Sequence, residues 1–319
     1  MYFRRNCQIK YIMPEKRKLI VFRIIVSLIS VAILIAVPFM ALKNKNGVSA
    51  ENEMVVMSVW QIDCFEGGKG SRASYLQSAA NGFSVNKNTY FNVIQLSSEA
   101  ARENLKNGNC PDLISYGAGI YGIESYITGN KSFYTWAYGG YCLLSLIEAD
   151  NFESVTKENT VINLGTENLS AAAALFCGLH GAATERPTGA YVKLINGDYK
   201  YLLGTQRDIF RLKTRGVKFS VKPLTEFNDL YQNISITTSE PAKKAIARNF
   251  IDYLLFGSNE IVKLGLMYQG KTLYEDEMRV MEGLEYQNKI ISPLSESVRG
   301  ELNSAIANND LKKLKNLCI

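Results

Sequence analysis

Residues 54–83 read MVVMSVWQIDCFEGGKGSRASYLQSAANGF, an apolar run, a glycine-rich turn and a helix-period pattern in that order. Met54 to Trp60 is almost continuously apolar and valine-rich, the composition of a strand buried on both faces. Gly67, Gly68 and Gly70 end it, and Ser71 stands as the N-cap of a helix to about Phe83. In that helix Ala73, Leu76, Ala79, Ala80 and Phe83 recur at intervals of three and four, which puts them on one face. Strand, turn and helix open a βαβ unit, and the expected fold class is α/β.

The pattern continues downstream. Phe91 to Leu96 (FNVIQL) reads as the next strand, Ser98 to Asn107 as a helix stopped by Gly108, and Asp112 to Tyr116 (DLISY) as a third strand after Pro111. Crossovers this short imply parallel strands with right-handed connections. Ligands of such sheets bind beyond the carboxyl ends of the strands, so the loops that begin at Trp60 and Tyr116 are expected to face a site. A second group follows, with an apolar helix from Ser170 to Leu179 and a helix ending near Ile195 at Asn196-Gly197. Tyr199 to Leu203 (YKYLL) is a strand running into Gly204, and Gln206 to Leu212 returns to helix. Val217, Phe219 and Val221 alternate with polar residues as a half-exposed strand. Asp229 to Thr237 leads to the clearest helix, with Pro241 near its start and Ile246, Phe250 and Leu254 on one face before Gly257.

Upstream, Ile24 to Leu42 holds 19 uncharged residues after a stretch with Arg4, Arg5, Lys10, Lys16, Arg17, Lys18 and Arg23. As a helix it is about 28 Å long, enough for a hydrocarbon core of about 30 Å. The basic excess before it keeps residues 1–23 in the cytoplasm and sends the rest outward. Val48-Ser49-Ala50 offers a cleavage site, so 24–42 serves either as a membrane anchor or as a signal segment, with 43–53 as linker. Nine of the 36 Lys and Arg and one of the 30 acids fall in residues 1–50. That leaves 27 bases against 29 acids, so the formal charge of +6 belongs to the leader and a nucleic-acid partner is not expected.

Five cysteines follow residue 50 (Cys64, Cys110, Cys142, Cys177 and Cys318) without a CxxC pair or metal-like spacing. The chain's one histidine, His180, is all that Ser/His or Cys/His catalysis or zinc ligation would have. The glycines at 67–70 lack the GxxxxGK[ST] spacing of a nucleotide loop. No enzyme, cofactor or metal is expected.

Several stretches in order carry a resemblance: VVMSVWQIDCFEGGKGSRASYLQSAA, NCPDLISYG, WAYGGYCLL, INGDYKYLLGTQRDIFRLK and SEPAKKAIARNFIDYLL. Together they resemble the extracellular solute-binding proteins of bacterial ABC importers, most of all the class that captures sugars. The resemblance implies a two-lobe periplasmic-binding-protein-like fold, with the solute in the cleft and crossovers near Phe133 to Leu144 and Asp229 to Thr237. One lobe is then 54–132 with 238–319, part of the C-terminal region packing on the other lobe, and 133–237 is the second. A membrane permease is the implied partner. The chain departs from the sugar class in being short between Leu144 and Ser170 and in lacking a lipid-acceptor cysteine. A membrane-tethered sensor that no longer transports, and less readily an extracellular enzyme, are the alternatives.

Sugars need aromatic platforms ringed by polar groups. Trp60 and Trp136, the chain's two tryptophans, fall where the cleft is expected, with core packing as the rival role of Trp60. Tyr116, Tyr138 and the loop carboxylates Asp63 and Glu66 join them as candidates. Gln206, Arg207 and Asp208 follow a strand end and open a helix, so they either reach a solute or cap and brace the turn.

Overall fold

The computed structural model describes residues 54–62, 71–85, 87–127, 133–163, 170–257 and 259–319. The 24–42 segment, Asp63, Cys64 and Glu66 lie outside them. Among the described residues no helix is long and apolar enough to cross a membrane. Residues Val55–Ile319 form one compact unit built on two five-stranded sheets.

The opening βαβ expectation holds. Strand β1 (Val55–Ile62), helix α1 (Ser71–Ser84), β2 (Thr89–Leu96), α2 (Ser98–Lys106) and β3 (Leu113–Tyr116) follow in order. β1 runs parallel to both β2 and β3. α2 is capped by Ser97, whose side chain accepts from the Ala100 amide, one of the donors a helix start leaves open. The first sheet is completed by β10 (Tyr231–Ile236), antiparallel to β3, and by β4 (Tyr134–Tyr138), giving the order β2-β1-β3-β10-β4.

Helices cover both faces of this sheet. Met57, Val59, Leu113 and Ile234 pack against Tyr75, Leu76, Ala80 and Phe83 of α1 and against Ala247, Phe250 and Leu254 of α6 (Pro241–Phe256). On the other face Trp60, Ile62, Ile114 and Tyr116 meet Ala101 and Leu105 of α2. Each such large apolar side chain, fully buried, contributes about 1.5–3 kcal/mol.

The second sheet has the order β7-β6-β8-β5-β9. Its members are β5 (Tyr141–Ser145), β6 (Thr160–Asn163), β7 (Ala183–Glu185), β8 (Tyr201–Thr205) and β9 (Ser220–Pro223). β6 is parallel to β7 and β8, whereas β5 is antiparallel to β8 and β9. One face packs on α4 (Pro187–Asn196) and α5 (Gln206–Thr214) through Ala190, Leu194, Ile209 and Leu212. The other packs on α3 (Ser170–Phe176), with α7 (Glu296–Ala307) and α8 (Leu311–Asn316) joining the same cluster through Leu302, Ala305 and Leu314. β9 starts later than the alternation from Val217 suggests, because this edge strand exists only where it pairs with β5, at Ser220 to Pro223.

Two segments carry the chain between the sheets. Gly139 and Gly140 link β4 to β5, and residues 224–230 link β9 to β10. They are tied together by Gly139 N–H to Leu230 O (2.6 Å) and Asn228 Nδ2 to Gly139 O (3.0 Å). A third stretch joins them, through Asn228 N–H to Asn288 O (3.0 Å) and Ile290 N–H to Asn228 O (3.1 Å).

Candidate functional site

In each sheet the parallel strands end at the loops where a solute would meet the chain: β1 and β3 in the first, β6 and β8 in the second. Three of these four strands end on buried polar side chains. At the end of β1, Gln61 is 2% exposed and its Nε2 donates to Ile62 O at 2.8 Å. Its Oε1 is shielded and accepts no hydrogen bond. At the end of β6, Asn163 is 4% exposed and its Nδ2 donates to Asp208 Oδ2 at 3.0 Å, while its Oδ1 is also shielded and unpartnered. Both amides have their orientation fixed by an acceptor on the NH₂ side, so in both the carbonyl oxygen is what remains to be satisfied. Such a buried oxygen costs about 1–3 kcal/mol until a donor meets it.

The end of β8 runs straight into α5. Thr205 caps that helix, accepting from the Arg207 amide, and Asp208 closes a capping box by accepting from the Thr205 amide at 3.1 Å. Gln206 Oε1 accepts from the Gly140 amide at 3.0 Å, which binds the helix start to the β4–β5 link. Asp208 is wholly buried, and its ion pair is with Arg211 one turn on, at 3.2 Å, rather than with its neighbour Arg207. Burial pushes the Asp208 carboxyl above its ordinary value, against the pull of Arg211, the Thr205 amide and Asn163. Arg207 is half-buried, with its guanidinium 6.0 Å from the Phe210 ring centre. The cluster therefore braces the turn and presents Asn163 at its margin.

The aromatic candidates are placed differently from what a sugar platform requires. Trp136 is 1% exposed, stacks on Tyr75 with centroids 5.5 Å apart, and donates from Nε1 to Ser115 Oγ at 3.2 Å. Trp60 is buried with Ile114, Tyr116 and Ala101, the packing role that was its rival reading. Tyr116 is fully buried and its hydroxyl meets Ser235 Oγ at 3.0 Å, with burial raising its pKa well above the ordinary range. Tyr138 accepts from the Gly283 amide at 3.1 Å, and burial raises its pKa too. All four rings spend their faces on the protein itself.

Gln61 and Asn163 were not among the sequence candidates. Their signal is an amide side chain at or next to the last position of a mostly apolar strand, VVMSVWQI and TVIN. Among the described residues no group of three His, Cys, Asp or Glu side chains stands together as a metal site.

No protein-family model matches the chain, and no curated protein matches it. Solved structures do. Apo FutA2 from Synechocystis PCC6803 is 12% identical, aligns over 82% of this chain and 98% of its own, and gives a TM-score of 0.52. Iron-bound HitA from Pseudomonas aeruginosa is 12% identical over 81% of this chain and 100% of its own, with a TM-score of 0.52. A substrate-binding domain assigned to molybdenum ABC transport in Clostridium difficile is 10% identical over 67% and 99%, with a TM-score of 0.50. The chain has the two-lobe periplasmic-binding-protein-like fold that these proteins share.

Proposed function

We propose that this chain is the solute-binding component of an ABC importer, exported to the cell surface and holding a small solute at the carboxyl ends of its parallel strands. Capture is by reversible binding without turnover, and a membrane permease is its partner. The observation that carries the reading is the pair of shielded, unpartnered carbonyl oxygens of Gln61 and Asn163, one at a strand end in each sheet. An oxygen acceptor held ready in this way asks for a solute that brings donors or a positive charge. FutA2, iron-bound HitA and the molybdenum-transport domain share the fold, which supports capture as the task.

Carbohydrate was the expectation from the sequence. Its physical argument weakens with Trp60 and Trp136 both committed to packing. The solute class is therefore widened to small polyols, amines and cations. A bare oxyanion such as molybdate is disfavoured, because it would face two carbonyl oxygens with its own negative charge.

A tethered, non-transporting sensor is the second reading, and the 19 uncharged residues from Ile24 to Leu42 favour it. Thermal unfolding of the full-length chain in mild detergent, against iron, molybdate, amines and saccharides, tests the proposal. A captured solute at a hundred times its dissociation constant adds about 2.7 kcal/mol. A selective rise supports capture. No rise with any class removes it, and chemical conversion of the solute would make the chain an enzyme.

A further inference from the structure

The first residues of β1 and the turn before β2 share one end of the first sheet, where Val55 N–H donates to Asn88 O at 2.9 Å. Apolar side chains stand open to water there. Val56 lies opposite Tyr90 in the parallel pairing, so both project from the face that α2 covers only further along, at Trp60 and Ile62. Each is 49% exposed, and Val85, in the turn that follows α1, is 64% exposed. Lys87, in the same turn, is exposed as well, its ammonium 3.3 Å from the Phe83 ring centre.

Three observations narrow what covers these side chains. A strand from a second copy is disfavoured, because the outer edge of β2 is already taken at Phe91 to Val93. Gln77 Nε2 donates to Phe91 O at 2.9 Å and Gln77 Oε1 accepts from the Val93 amide at 3.0 Å, the two bonds a parallel neighbour would make. Charge favours an anionic surface. No Asp or Glu occurs from Gly67 to Ser98, while Asp112, just before β3, and Glu240, the N-cap of α6, stand 3.3 and 4.0 Å from Lys243. Chain length brings such a surface close. Leu42 ends the apolar segment and Val55 opens β1, so residues 43–54 between them reach at most about 40 Å even when fully extended.

We propose that Val56, Val85, Lys87 and Tyr90 dock this end of the first sheet on the surface of the lipid bilayer that holds Ile24 to Leu42. The proposal rests on the reading of that segment as a retained anchor and is independent of which solute is captured. The valines and the tyrosine enter the headgroup region, and the lysine meets anionic lipid. The carboxyl ends of β1 and β3, with Gln61, are left clear of the lipid.

The full-length chain in vesicles of phosphatidylcholine and phosphatidylglycerol tests this, with one added tryptophan at a time and quenching by brominated acyl chains as the readout. Trp60 and Trp136 are enclosed, so the wild type sets the background. Val85→Trp and Tyr90→Trp are expected to be quenched at least about twofold more than Ile195→Trp, at an exposed position on α4. Adding Lys87→Glu to Val85→Trp should reduce its quenching. Should Tyr90→Trp lose its fold by circular dichroism, Val85→Trp carries the test. Flotation of the vesicles separates the docking from the anchor. A chain that floats with them yet shows equal quenching at the three positions, or none, overturns the docking and leaves the anchor reading intact. A chain that does not float overturns the anchor reading, and the docking with it.

Discussion

Asn163 donates from Nδ2 to Asp208 Oδ2 at 3.0 Å, joining the end of β6 to the first turn of α5 within the second sheet's core. The same carboxylate accepts from the Thr205 amide and pairs with Arg211. Removing one partner of such a buried pair leaves the other uncompensated, at about 3–5 kcal/mol. Asp208→Ala is expected to lose about that much in a denaturant titration, and to release Asn163 from its fixed orientation.

Asp208 also predicts a pH signature. Burial raises its folded-state pKa above the unfolded value, so between those two values the folded chain holds a proton that the unfolded chain has lost. Stability from this group therefore rises as pH falls through that window and is flat above the folded value. Relative to Asp208→Asn, which does not titrate, the wild type should gain stability on acidification through the window. A difference that stays level there would contradict the burial argument.

Both tryptophans being enclosed has an optical consequence. Their emission is expected to be blue-shifted, resistant to iodide quenching and unmoved by saccharides. Trp136→Ala removes a ring stacked on Tyr75 and should cost about 3–5 kcal/mol.

Much of the fold was legible because it is written in local period and punctuation. The β1–α1–β2–α2–β3 run follows from an apolar strand, helix spacing and Gly108, and α6 from Pro241 and Gly257. What stayed hidden depends on partners. β6 and β7 are four and three residues long, too short to show a period, and exist because they pair with β8 and with each other. The antiparallel entry of β10 is set by the return of the chain, which no local pattern encodes. The polar cluster at 204–208 was found as a cluster, yet its ion pair runs from Asp208 to Arg211, because a helix brings residues three apart onto one face. Trp136 reads as a cleft residue until Tyr75 is seen stacked against it.

Tyr141 ties the second sheet to the link between the sheets, its hydroxyl donating to Asp229 Oδ1 at 2.7 Å in a fully buried setting. Tyr141→Phe loses a hydrogen bond to a charged acceptor and should cost about 1.5–3 kcal/mol. Equilibrium unfolding in urea measures it, and a change below experimental error would show that the bond adds nothing.

Gly140, in the other link, is closely approached by the ends of two side chains. A Cβ there would lie 2.5 Å from the Tyr286 hydroxyl and 2.8 Å from Met281 Cε. Because both atoms end side chains that can swing aside, Gly140→Ala is expected to cost no more than about 1 kcal/mol, and to disturb the Gly140–Gln206 hydrogen bond that steadies α5. Hydrogen exchange at the Gly140 amide reports the second effect directly.

The most direct test of solute capture compares the thermal stability of the full-length wild type with that of Gln61→Met, with and without each solute of the panel. Methionine keeps the length of the side chain and removes the shielded oxygen together with the Nε2 hydrogen bond to Ile62 O, so the two effects offset and the solute-free variant should stay within about 1–2 kcal/mol of the wild type. The stabilisation given by the captured solute should shrink markedly. A variant that loses stability on its own, yet responds to the solute as the wild type does, would contradict the account. So would a panel in which no solute stabilises either protein.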